Sequence, residues 1–132
     1  MLKNNKERMG DIMHLNNLCR ITGILVNTPE LNTTSAGVSR IFFTLAVKRE
    51  RPDASGQWGV DFPQFVAWRR KAEKIASSYK KGDLIEVIGR LQTRTSLDKH
   101  GIRHHNTEII VSESRKVPSF NASDASSLVD PA

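Results

Sequence analysis

The chain has 132 residues, 20 Lys and Arg against 14 Asp and Glu, and a formal net charge of +6. That length suits one domain with unstructured ends, and the charge favours a polyanionic partner. Its apolar runs fall far short of the roughly 20 residues a bilayer span needs, so no membrane partner is expected. The single cysteine, Cys19, excludes an internal disulfide.

Residues 1–14 are polar and charged and read as a flexible leader. They carry no apolar core of an export signal, so a cytoplasmic location is expected. From Leu18 the side chains alternate with period 2, the pattern of strands with one buried face. Leu18 to Val26 forms a first strand, in which Cys19 reads as a small core residue. Pro29 and the polar stretch Asn32 to Gly37 form a loop. Val38 to Lys48 is a second strand. Ile41, Phe43, Leu45 and Val47 share its core face, and Arg40, Phe42, Thr44, Ala46 and Lys48 the other. A hairpin loop follows, with Pro52, Asp53, Ser55 and Gly56 as turn formers, and Val60 to Trp68 is a third strand.

The period then changes. Ala72, Ile75, Ala76 and Tyr79 recur at helical spacing, which predicts a short helix. Lys80 and Lys81 suit its C-terminus, and Gly82 its left-handed stop. Leu84 to Thr93 is a fourth strand, Asp98 to Gly101 a second turn, and Ile102 to Val111 a fifth strand running on toward Val117. Residues 118–132 are rich in Ser, Ala, Asp and Pro and read as a disordered tail, which leaves an ordered domain over 15–117. Three strands, a helix and two strands is the order of an all-β, five-stranded Greek-key OB-fold barrel with its helix between strands three and four. An isolated sheet with a helix packed on one side shares most of this pattern.

Seven segments occur in order: Gly23-Ile24-Leu25, Pro29-Glu30-Leu31, Phe43-Thr44-Leu45-Ala46-Val47, Val66-Ala67-Trp68, Ala72-Glu73, Tyr79-Lys80-Lys81-Gly82 and Gly89-Arg90-Leu91-Gln92-Thr93-Arg94. Thr107-Glu108 follows in the last strand. Together they resemble the bacterial-type single-stranded DNA-binding proteins, phage and plasmid members among them, over about Asn17 to Val117. The resemblance implies an OB-fold, sequence-tolerant binding of single-stranded DNA in replication, recombination or repair, and a homotetramer.

A groove for single strands needs cations that follow the phosphates and aromatic faces on which bases stack. Phe62 and Trp68 match positions where the family places stacking aromatics. Phe42 lies on the non-core face of its strand, where stacking and a subunit interface are both open to it. Arg90 and Arg94 share a face with Gln92, matching the family's DNA-facing side, and Arg70 and Lys81 fall on positions that are basic in relatives. Lys48, Arg49 and Arg51, at the end of the second strand, complete the candidate cations. Arg51 stands where many relatives carry an aromatic, and Ser96-Leu97 where another often lies. Trp58, in the first hairpin, is a candidate compensating platform or a residue resting on its own loop. The chain ends Asp130-Pro131-Ala132 without the acidic tip through which many relatives recruit other proteins, so replication or recombination partners are in doubt.

No catalytic constellation, metal spacing or cofactor motif is present in the sequence. His104 and His105 are adjacent, so on a strand they point to opposite faces and chelate poorly. The rival readings are an OB-fold adaptor like primosomal replication protein B, typically a dimer, and a metal-dependent nuclease on a β-barrel.

Overall fold

The computed structural model describes residues 16–118. The leader and nearly all of the expected tail lie outside them. The elements described in full are, in order, β1 (Cys19–Leu25), β2 (Asn32–Thr33), β3 (Ser39–Pro52), β4 (Trp58–Asp61), β5 (Gln64–Trp68), α1 (Arg70–Ser78), β6 (Leu84–Leu97) and β7 (Arg103–Lys116). β1 pairs with β6, β6 with β7, β7 with β5 and β5 with β3, and β3 returns to β1 through Ile24↔Ala46 and Leu25↔Leu45. That ring of five strands is the closed OB-fold barrel the element order predicts. β5 and β7 run parallel, and the ring's other pairs are antiparallel. β2 and β4 are short additions to β3.

Alternation fills the barrel. Ile41, Phe43 and Leu45 point inward from β3, Phe65 and Ala67 from β5, Ile85 and Val87 from β6, and Ile109 and Val111 from β7. Phe43 and Phe65 sit directly opposite across β3 and β5 and stack with centroids 5.0 Å apart. The helix closes one end with Ala72, Ile75 and Tyr79, and the Tyr79 hydroxyl bonds Ser114 Oγ at 3.1 Å. Each fully buried Ile, Leu or Phe contributes about 1.5–3 kcal/mol, so this interior dominates stability. Cys19 is partly buried against it, as its place in the alternation predicts.

Four expectations need correction. The third strand is not continuous: Phe62 and Pro63 break it into β4 and β5. Proline has no N–H to give a ladder, and here its carbonyl accepts from Leu45 N at 3.3 Å. Gly82 has the expected positive φ of 93°, but not at the helix end. The helix stops at an extended Tyr79, and Gly82 serves the turn Lys80–Asp83. The 32–37 loop contains β2. Finally, β6 runs four residues further than predicted, to Leu97, in a hairpin with Arg90 to Leu97 exposed on β6 and Arg103 to Thr107 exposed on β7. With both faces in solvent, that extension has no alternation to announce it.

Both hairpin turns use one device. Asp53 Oδ1 accepts from the Ser55 and Gln57 amides, and Asp98 Oδ1 from those of His100 and Ile102. Gly56 and Gly101 follow each Asp at the same spacing with positive φ. These are Asx turns, in which a side chain replaces a backbone acceptor.

Candidate nucleic-acid interface

Phe42 leaves β3 on the side opposite Phe43, because successive strand residues face opposite ways. Across the sheet its row runs Phe42, Val66, Ile110 and Arg90 on β3, β5, β7 and β6. One step along, Arg40 pairs with Trp68. Phe42 and Trp68 are each 39% exposed, a large apolar area left open although the barrel already has its core. Val66, between Phe42 and Ile110 in this row, is 1% exposed and offers no contact.

Cations lie against these rings. The Arg40 guanidinium is 4.9 Å from the Phe42 centroid and 5.6 Å from that of Trp68. Arg94 reaches Phe42 from β6 at 5.7 Å and stands 3.9 Å from the buried carboxylate of Glu108. Arg90 Nη1 donates to Gln92 Oε1 at 3.0 Å, so two of the three β6 side chains read as a DNA-facing set touch each other. Two depressions adjoin the patch. One of about 480 Å³ has Phe42, Thr44, Gln64 and Glu30 in its wall, and another of about 560 Å³ has Trp68, Arg70 and Lys71. Arg69, at φ 59°, turns the chain sharply between Trp68 and the helix. Such a conformation costs about 1–3 kcal/mol in a non-glycine residue.

A second group sits on the β3–β4 arm. Lys48 Nζ lies 4.5 Å over the Trp58 ring, and Trp58 and Phe62 are about half exposed. Arg49 is engaged with Asp61 through bonds of 2.8 and 3.1 Å, which hold the Asp61 carboxyl below its usual range. Both partners are exposed, so a phosphate can compete for Arg49. Arg51 is exposed near the hairpin turn. Lys81 is exposed in the turn after α1, where its amide bonds Thr28 Oγ1 at 3.2 Å, and no described contact joins it to the rings. Arg40 was not among the sequence candidates. Its position two residues before Phe42, on the same face, was the signal available.

Toward the start of β6, the outer surface shared with β1 and β7 is built for structure. The nearly buried Glu86 accepts from Arg20 and Arg115, each at 2.9 Å, and Arg115 first and then Arg20 hold its carboxyl below the usual glutamate value. No group of three or more His, Cys, Asp or Glu side chains suited to a metal occurs among the described residues. No described helix is long and apolar enough to cross a membrane.

A closed five-stranded barrel is an OB-fold, and exposed aromatics among arginines are the surface chemistry that suits nucleic acid. The single-strand binding protein family matches residues 16–117, and the chain belongs to that family. It is 44% identical over 90 residues to single-stranded DNA-binding protein 3 of Listeria innocua, covering 68% of this chain and 56% of that protein. Single-stranded DNA-binding protein 1 of Staphylococcus aureus is 38% identical over 104 residues, 79% of this chain and 67% of the relative. The single-stranded DNA-binding protein of Lactiplantibacillus plantarum is 37% identical over 91 residues, 69% of this chain and 46% of the relative. The match thus spans between about half and two thirds of these relatives' lengths.

Proposed function

We propose that the protein binds single-stranded DNA along the Phe42–Trp68 face and protects it during replication, recombination or repair. The observation that carries this reading is the pair of exposed rings, bridged by Arg40 and flanked by Arg94, on an otherwise closed barrel. Flat apolar faces accept any base, and guanidinium groups accept the phosphates between bases, so binding is sequence-tolerant. The relatives' names support the same ligand. Phe62, Trp58 and Lys48 extend the path along the β3–β4 arm, and Arg70 extends it past Trp68. Binding is the whole activity, with no catalytic step. A homotetramer is the proposed assembly, and the lone cysteine suits a reducing cytoplasm.

The test is a titration of labelled oligothymidylate and of duplex DNA of equal length at several salt concentrations. Single strands are expected to bind far more tightly and to quench tryptophan emission, because a duplex hides the base faces. Equal affinity for the two forms overturns the reading.

A further inference from the structure

Arg40 differs from the other cations of this face. Arg49 has Asp61, Arg94 has Glu108 nearby and Arg90 has Gln92. Among the described residues no carboxylate pairs with Arg40, and its Nε is buried without a hydrogen-bond partner. Its guanidinium instead lies over both rings that the proposed function assigns to bases. A buried N–H without an acceptor is unfavourable, and an exposed cation–π contact is weak. The guanidinium is therefore held in a place it leaves cheaply. A phosphate oxygen offers it a charge-assisted hydrogen bond, a stronger contact than either ring.

We propose that Arg40 is a displaceable cover of the aromatic platform. In the DNA-free protein its guanidinium occupies the faces of Phe42 and Trp68. An incoming base takes that place, and the freed guanidinium donates to the phosphate beside the base. The exchange is favourable only when a phosphate arrives with the base. Arg40 thereby selects for an anionic strand over neutral aromatic ligands that would otherwise stack on the same rings. This rests on the reading of the face as the single-strand site.

The test uses the full chain, Arg40→Met and Arg40→Lys, with two probes: oligothymidylate with ordinary phosphodiester links, and the same oligomer with uncharged methylphosphonate links. All three proteins are first compared by thermal melting. On the phosphodiester strand, Arg40→Met is expected to bind more weakly, with a slope of log affinity against log salt shallower by about 0.7, one phosphate's worth on a single strand. On the methylphosphonate strand it is expected to bind about threefold more tightly than the parent, the scale of losing one exposed cation–π cover. Arg40→Lys is expected to retain the salt slope. The reversal of sign between the two backbones is the signature. No change on the uncharged strand means that Arg40 contacts phosphate without covering the rings. Tighter binding on both strands means that it covers without making the exchange. Weaker binding on both means that it is a fixed part of the platform. Each of these overturns the proposal. A parent protein that prefers neither single strand over duplex fails the underlying functional reading instead, which separates the two failures.

Discussion

Replacing Trp68 by Leu removes a flat face while keeping apolar bulk over the covered part of the site. An indole presents up to about 250 Å². With 39% of Trp68 exposed, roughly 100 Å² is open to a base, which at about 25 cal/mol per Å² sets an upper value near 2.5 kcal/mol. Leucine retains some of that area, so the expected loss is about 1–2 kcal/mol, or roughly five- to thirtyfold in affinity, within the range of one base–aromatic stack. The salt slope is expected to stay near the parent value, since no phosphate contact is removed. Fluorescence anisotropy with labelled oligothymidylate at four salt concentrations measures both quantities, and a urea melt checks that the domain remains folded. Parental affinity in a variant that melts like the parent would refute the assignment of Trp68 as a stacking face. A large drop in stability with unchanged affinity of the folded fraction would make Trp68 a packing residue.

Three further outcomes follow from particular contacts. Arg94→Ala is expected to flatten the salt slope by roughly 0.7, and an unchanged slope would take the β6 face off the DNA path. Gly89→Ala places a Cβ against the Ile110 carbonyl oxygen and Ile109 Cγ2 at the β6–β7 register shift, and backbone cannot yield as a side-chain tip can. It should cost at least about 2 kcal/mol in a urea melt, and near-parental stability would show that the strands part easily. Glu86→Gln tests the sign of an acid linkage. The folded carboxyl is held below its usual value by Arg115 and Arg20, so its contribution is complete at neutral pH and lost as pH falls through that lowered value. The melting gap between parent and variant should be constant near pH 7 and close on acidification below about pH 4; a gap that widens in acid would contradict the assignment.

The barrel was legible because most of its strands have one face in the core. The Ile41, Phe43, Leu45 stripe and the Ala72, Ile75, Tyr79 face each announce their element, and each is buried as expected. The break at Phe62-Pro63 was hidden because parity continues across it, although Pro63 carried the local signal. Val66 shares its parity with Trp68 and is nevertheless buried, since alternation alone does not tell how wet an outer face is. Phe42, Trp68 and Phe62 are exposed, as expected where the opposite faces already supply a core. The Arg40 bridge and the Arg20–Glu86–Arg115 clasp were not visible. Both depend on strand register, which joins residues far apart in sequence.

The most direct test of where DNA binds is photocrosslinking. A single-stranded oligonucleotide substituted with 5-iododeoxyuridine is irradiated on the protein, and the adducts are mapped by mass spectrometry of the digested complex. Adducts are expected on Trp68, Phe42 and Phe62, lost on competition with unlabelled oligothymidylate and retained on competition with duplex. Adducts confined to the Arg20, Glu86 and Arg115 side of the barrel would place the strand on the wrong face for every ring and arginine assigned to it here.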